Sequence, residues 1–296
     1  MTTEKALKKI LSGIGSAAEH RRRADTISAL YYKELAHIAM SAVRDPASVF
    51  SCSADRDEDD IRELLLTQNG ICDAGLTGAL FAKYYTELCS SRGIIPELAD
   101  MFRHTVKTEP ASAAYVTGGF ADAAFDALRE ELAAVAHVTL RPYHAERAGS
   151  ACDCVLDGKT DFAIIPLWND RDGNLRSFYR MIGEFDLKIL SVTTVPTDEG
   201  RTRFALCGAE ANPLYSSPAY MEISLIGHDS IISDISDASR AHGHTVTEIS
   251  TSPSEGGPLV RFTIRAGGDL RPTLLYLNLF HPAHTMIGLY CSTNER

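Results

Sequence analysis

The sequence lacks the features that mark membrane, secreted and nucleic-acid-binding proteins. No apolar run approaches the ~18–20 residues needed to span a bilayer, and residues 1–9 contain no signal-peptide core. Basic residues are in deficit, at 29 Lys and Arg against 39 Asp and Glu, so the net charge of −10 argues against binding to nucleic acid or anionic membranes. The seven cysteines follow no repeating frame, which favours reduced thiols. We therefore expect a cytoplasmic protein with no nucleic-acid or membrane partner.

The composition is that of a globular protein, and the sequence divides into three segments of different pattern. The chain has 296 residues, of which 45% are hydrophobic and 23% charged, and this length predicts two or three domains. Residues 1–107 have helical periodicity, and residues 112–211 alternate strands with helices. Residues 219–296 have the βαββαβ order of ferredoxin-like folds. The sequence therefore predicts a multidomain α and α/β protein.

The first segment begins with a long predicted helix. Apolar residues recur from Leu7 to Ala42 at a spacing close to 3.6, and no proline occurs before Pro46, so one helix of roughly 40 residues fits. Shorter helices fit residues 55–68 and 73–91. A helix of that length favours a partner helix from another chain, and hence a homodimer.

The long helix is basic although the protein is acidic. Residues 1–44 hold eight Lys and Arg against four Asp and Glu. Arg22 and Lys33 are eleven residues apart, almost three complete turns, and therefore project from nearly the same side. Lys8 lies about 40° away on the helical wheel. This face suits either a pocket that clamps carboxylates or an ordinary solvated helix surface.

Several motifs and the order of the three segments resemble the bifunctional chorismate mutase/prephenate dehydratase family. The acidic start of the second helix, the Gly118-Gly119 turn and the stretch of residues 158–173 carry this likeness, together with Thr202-Arg203-Phe204. The resemblance implies an N-terminal three-helix chorismate mutase-like domain (1–107), a single-lobed dehydratase-like domain (112–211) and a C-terminal ACT-like regulatory domain (219–296).

The resemblance implies that the protein converts chorismate to prephenate. This rearrangement requires cations and hydrogen-bond donors that hold two carboxylates and stabilise charge at the ether oxygen, and the resemblance implies no metal or organic cofactor. By position, Arg22 resembles the main-helix arginine and Lys33 the lysine at the ether oxygen. Arg56 and Asp57 resemble the Arg-Glu pair of the second helix, and Arg92 stands where the third helix supplies a Gln or Glu.

Two further substrate-binding positions follow from the same likeness. The family arginine that reaches in from the partner chain aligns with Lys5, or with Lys8 after a shift. Because Asp57 and Arg92 differ from the family residues, a close analogue such as 4-amino-4-deoxychorismate is an alternative substrate.

The middle segment retains part of a dehydratase pattern. Thr202 and Arg203 match the Thr-Arg-Phe motif, whose threonine stands at the reaction centre in the family, and Asn169 matches the Asn-Ser stretch. Ordinary strand packing of Thr202 and a turn at Asn169 are the alternatives. The family inserts a second lobe where this chain has only residues 170–201, so one wall of the active site is missing. We therefore expect dehydratase activity to be lost.

The last segment resembles an ACT domain. Ser250 and Pro253 align with its second effector motif, so the resemblance implies either an aromatic amino acid effector or a structural role in dimerisation. A non-catalytic regulator that binds an aromatic amino acid is the main alternative to the mutase, and a residual dehydratase is a third reading.

Overall fold

The computed structural model describes most of the chain. The described residues are 3–50, 61–63, 65, 75–94, 98, 110–135, 137–198, 200–210, 214–215, 217–227, 229–254 and 256–293, with only the backbone for 3–15, 17–18 and 229. The predicted site residues Arg56 and Asp57 lie outside this range. None of the described helices is both long enough and apolar enough to cross a bilayer.

Helices and strands alternate after an all-helical start. The helices are α1 (Thr3–Ala42), α2 (Leu76–Ser91), α3 (Gly119–Val135), α4 (Ala148–Leu156), α5 (Arg176–Glu184), α6 (Asp229–Ala241) and α7 (Arg271–Phe280). The strands are β1 (Ala111–Val116), β2 (Leu140–Ala145), β3 (Phe162–Asn169), β4 (Gly173–Asn174), β5 (Lys188–Thr197), β6 (Gly200–Gly208), β7 (Tyr220–Ile226), β8 (Thr245–Ser254), β9 (Gly257–Arg265) and β10 (Thr285–Tyr290). The prediction of a 40-residue first helix is confirmed, and so is the βαββαβ order of the last segment.

One predicted strand is displaced. The sequence predicts a strand over residues 137–141, whereas β2 begins at Leu140. His137 has a φ of +54°, in the left-handed region that strands do not use, so the extended backbone starts only after it.

The described strands form one mixed sheet. Their order is β2-β1-β3-β6-β5-β10-β7-β9-β8, and β4 pairs with β3 outside this path. Strand β1 is parallel to β2 and β3, while the last four strands are antiparallel to one another. The middle and last segments therefore contribute strands to the same sheet. The protein has a mixed α/β fold.

The two parts of the sheet meet at a seam between β5 and β10. The strands run parallel there, with Gly288 in register with Ile189. The amide of Val192 also donates to the carbonyl of Cys291 at 3.1 Å. A Cβ on Gly288 would lie well inside 3.0 Å of the Ile189 carbonyl oxygen, which is closer than real Cβ contacts. The absence of a side chain at residue 288 therefore allows this close backbone approach.

The N-terminal helical segment packs against the helices that cover one face of the C-terminal strands. Side chains of α1 and α2, such as Leu35 and Tyr85, share one buried core with α6, α7 and the Met221 and Ile223 side chains of β7. His242, just after α6, bridges the helices because its ring nitrogens lie 2.8 Å from the Ala79 carbonyl of α2 and 2.8 Å from Thr273 Oγ1 of α7. Separate domains at 1–107, 112–211 and 219–296 stay a prediction.

The seam can be tested by Gly288→Ala. The added methyl group must push β10 away from β5, so we expect the free energy of unfolding to fall by about 1–3 kcal/mol. Gly183→Ala is the control because its Cβ would meet nothing within 4 Å, and we expect it to be neutral or stabilising by up to about 1 kcal/mol. Urea unfolding measures both, and equal stabilities would contradict the seam packing.

The His242 bridge predicts acid sensitivity. Burial is the main factor that lowers the pKa of His242 in the folded protein, from the ordinary 6.5 to about 4. As the pH falls through 6.5, the unfolded chain binds the proton first, so stability that is present above pH 6.5 is lost toward pH 4. We expect a loss of about 2 kcal/mol from this group between about pH 7.5 and about pH 5.

Urea unfolding at the two pH values measures this loss. His242→Asn should flatten the dependence by that amount, whereas the exposed control His20→Asn should keep the full slope. A His242→Asn variant with an unchanged slope would refute the assignment.

Candidate functional site

Those predicted mutase residues that the structure describes lie along α1 and at the end of α2. Lys33 Nζ lies 5.3 Å from the ring centroid of Tyr84 on α2. Arg92 Nη2 lies 3.4 Å from Nδ1 of His37, one turn after Lys33. Lys33 and Arg92 therefore share one exposed surface between the two helices. Arg22 is also exposed, but it is about 16 Å away from Lys33 along the helix axis.

The remaining predicted residues of the first and last segments are more scattered. Lys5 and Lys8 belong to α1, where only the backbone is described. Ser250 and Pro253 lie on β8, which is at the edge of the described sheet. Their predicted effector role stays a prediction.

The dehydratase-like residues converge only in part: Asn169 and Thr202 stand directly opposite each other on β3 and β6, whereas Arg203 stands opposite Trp168. Asn169 shapes the turn after β3, because its Oδ1 accepts the Asp172 amide at 2.6 Å. Thr202 and Arg203 are neighbours on β6, so their side chains project from opposite faces of the sheet. Arg203 lines a cavity, whereas Thr202 and Asn169 are not among the residues that line it.

The cavity lies across the seam and has a volume of about 570 Å³, within the usual range for small-molecule sites. We call it the seam cavity. It is lined by Val192, Thr194, Pro196, Arg201, Arg203, Tyr220, Thr247, Glu248, Thr263, Tyr290 and Ser292.

Strand alternation explains why a polar face borders this cavity. Met221 and Ile223 of β7 point into the helical core, so Tyr220 and Glu222 point to the opposite face. Glu222 stands opposite Thr263 of β9 in the antiparallel register. Polar side chains of neighbouring strands are thus collected on one face, which the middle segment partly covers.

A buried ion network fixes that face. Arg261 stacks on the ring of Tyr179 from α5, with its guanidinium carbon 3.4 Å from the ring centroid. Its Nε lies 3.3 Å from Glu222 Oε1, and its Nη2 donates to Glu248 Oε1 at 3.3 Å. The Tyr290 hydroxyl donates to Glu222 Oε2 at 3.0 Å. The network therefore connects α5 of the middle segment with all four strands of the last segment.

Glu222 is the most deeply buried charge of this network. Its side chain is 1% exposed. Burial raises its pKa above the ordinary value, against the opposing effect of Arg261 and the Tyr290 hydrogen bond. Burial and the Glu222 charge likewise raise the pKa of Tyr290, so its hydroxyl stays protonated and acts as a donor. These groups make a rigid wall rather than a proton-transfer site.

Arg203 differs from Arg261 because its interaction with Glu222 acts only at longer range. It forms no ion pair within 4 Å with any residue that the structure describes. Its guanidinium carbon lies 5.6 Å from the ring centroid of Trp168, on β3. A half-buried guanidinium that lines a cavity and has no carboxylate within ion-pair distance is suited to binding an anionic ligand.

The described residues offer no metal centre. Within the described ranges, no group of three or more His, Cys, Asp or Glu side chains could hold an ion. Burial raises the pKa of the Cys152 thiol to about 11, so it stays protonated and is a poor ligand or nucleophile.

Most residues of the seam cavity carry no signal in the sequence that marks them as part of a site. Glu222, Glu248 and Arg261 lie on strands where a charged residue alternates with apolar ones, a pattern typical of a solvent-facing strand. The sequence alone does not show that α5 covers these charged side chains. Only the buried Glu222 beside Arg261 shows that this face is an interior one.

Comparison with known proteins gives weak likenesses. No family model and no curated protein matches the sequence. Among solved structures, the chain resembles prephenate dehydratase from Streptococcus mutans at 16% identity and a TM-score of 0.48, over 62% of this chain and 98% of that one. It also resembles prephenate dehydratase from Arthrobacter aurescens in complex with L-Phe, at 13% identity and a TM-score of 0.49, over 62% and 91%.

A third likeness is to GqqA, described as a quorum-quenching acylase, at 16% identity and a TM-score of 0.45, over 60% of this chain and 94% of that one. With TM-scores below one half and such low identities, these likenesses decide neither family nor activity.

Proposed function

We propose that this chain binds a small aromatic carboxylate in the seam cavity and acts as a ligand-responsive regulator in aromatic amino acid metabolism. The observation that carries the proposal is Arg203, whose guanidinium faces the cavity and has no ion pair with a described residue. The resemblance of the sequence to the mutase/dehydratase family supports the metabolic setting.

The walls of the cavity suit an aromatic ligand. The rings of Tyr220 and Tyr290 stack with their centroids 5.5 Å apart and their planes at 18°. Val192 and Pro196 add apolar surface on the β5 side. Of the two lining arginines, Arg201 pairs with Asp170 at 3.4 Å, which leaves Arg203 for a ligand. A cation beside aromatic and apolar side chains suits an aromatic acid, because the cation orients the ligand and the rings bury it.

Trp168 provides a direct readout of this site. It is the single tryptophan of the chain, and it lies beside Arg203. We expect its fluorescence to change saturably with 3-phenylpropionate or phenylpyruvate, but not with benzyl alcohol, which lacks a carboxylate. Arg203→Met should weaken carboxylate binding by about 10- to 100-fold, because it removes hydrogen bonds to a charged group.

The control is Arg180→Met, since Arg180 is exposed and pairs with Glu184 away from the cavity. Calorimetry should accompany fluorescence because the Arg203 substitution alters the surroundings of Trp168. Absence of saturable binding by every aromatic carboxylate tested, L-phenylalanine included, would refute the proposal.

Chorismate mutase is the second candidate. Its support is the surface on which Lys33 and Arg92 lie together, combined with exposed apolar side chains on α1. Ile27 is 68% exposed and Leu30 is 64% exposed. Such a stripe suits a helix from a second copy, which would complete the site and form the expected homodimer.

A time course with chorismate tests this candidate. We expect prephenate formation that Lys33→Ala and Arg22→Ala each reduce by about 100-fold or more, because these cations would stabilise the transition state. Arg23→Ala is the control, because Arg23 pairs with Glu19 on the exposed helix.

Unchanged chorismate at high protein concentration would exclude mutase activity on this substrate. Phenylpyruvate formed from prephenate would instead establish the residual dehydratase.

A further inference from the structure

We infer that the seam cavity selects α-amino acids over the corresponding deaminated acids, with Glu248 as the residue that recognises the ligand's ammonium group. This inference rests on the proposed function, because it assumes that Arg203 binds the carboxylate of an aromatic ligand in the same cavity.

Glu248 has one oxygen engaged and one oxygen open. Its Oε1 accepts hydrogen bonds from Asn174 Nδ2 and from Arg261 Nη2. Its Oε2 makes no hydrogen bond or ion pair with any described residue. The side chain is 35% exposed and lines the seam cavity. A carboxylate held through one oxygen presents the other at a fixed position.

The holding contacts come from two parts of the chain. Asn174 belongs to β4 of the middle segment, 74 residues before Glu248. Arg261 is itself fixed by Tyr179 and Glu222. Because both donors are anchored, Glu248 loses little side-chain freedom when a ligand binds, which favours recognition by a preformed site.

The open carboxylate oxygen and the guanidinium without an ion pair are complementary to a zwitterion. Glu248 and Arg203 line the same cavity, and the charges of both act on the Glu222 carboxylate. An acid without an ammonium group would pair with Arg203 but would offer no cation to the open oxygen of Glu248. An α-amino acid would pair with both, and charge-assisted hydrogen bonds of this kind are about twice as strong as neutral ones.

The bulge in β8 gives Glu248 its position. The register between β8 and β9 shifts between Val246 and Glu248, so that Thr247 and Glu248 both line the cavity. Strand neighbours normally point to opposite faces, and a bulge re-aims one of them. The irregularity therefore directs Glu248 into the cavity.

Three ligands distinguish the proposed carboxylate site from the inferred preference for an α-amino acid. L-phenylalanine carries both charges, 3-phenylpropionate lacks the ammonium group, and phenethylamine lacks the carboxylate. We expect wild-type protein to bind L-phenylalanine at least about 10-fold more tightly than 3-phenylpropionate, and phenethylamine most weakly. Dissociation constants come from calorimetry and Trp168 fluorescence.

Variants assign the preference to Glu248. Glu248→Gln keeps the size of the side chain and should bring the affinity for L-phenylalanine down to that for 3-phenylpropionate. Asn174→Ala removes one holding contact and should weaken L-phenylalanine binding more than 3-phenylpropionate binding. Glu184→Gln, on the exposed face of α5, is the matched control and should retain the preference.

The outcomes are distinguishable. If wild-type protein binds 3-phenylpropionate as tightly as L-phenylalanine, the amino acid inference is overturned while the carboxylate site stands. If none of the three ligands saturates, the proposed function fails and the inference fails with it. The wild-type comparison decides the inference even if Glu248→Gln does not fold.

Discussion

The close approach of β5 and β10 at Gly288 is the constraint on which the rest of the structure depends. It joins the mixed part of the sheet, in which β2, β1 and β3 are parallel and β6 is antiparallel to both of its neighbours, to the antiparallel part formed by the last four strands. Since Gly288 is also in register with Glu222 of β7, the residue that makes the junction lies beside the deepest charge of the network. The seam therefore places strands of two sequence segments around one cavity.

The ion network turns this junction into a rigid site. Burying Glu222 and Arg261 costs desolvation energy, and the cost is offset only where the charges are paired and hydrogen-bonded. Here the Arg261 guanidinium pairs with the carboxylates of Glu222 and Glu248, and it stacks on Tyr179. Pairs of this kind contribute orientation more than net stability. Their structural effect is that α5 is held against β7, β8 and β9.

Sequence periodicity predicted the elements well and the site poorly. The 40-residue helix and the βαββαβ order follow from local patterns of apolar residues, which depend on residues near in sequence. The seam cavity depends on residues as far apart in sequence as Val192 and Ser292, whose proximity no local pattern encodes. Arg203 was identified through a motif, but its environment was not. Arg56 and Asp57, predicted as one pair, lie outside the described residues.

The two candidate sites are connected through strand β7. Tyr220 and Glu222 face the cavity side, whereas Met221 and Ile223 of the same strand face the core that includes α1 and α2. On the far side of that core, Tyr84 of α2 lies beneath Lys33. Because packed interiors resist compression, a ligand that fixes the cavity face of β7 also restrains the layer on which the basic surface of α1 is built. A regulatory ligand in the seam cavity would therefore act on the helical surface through one strand and one layer of helices.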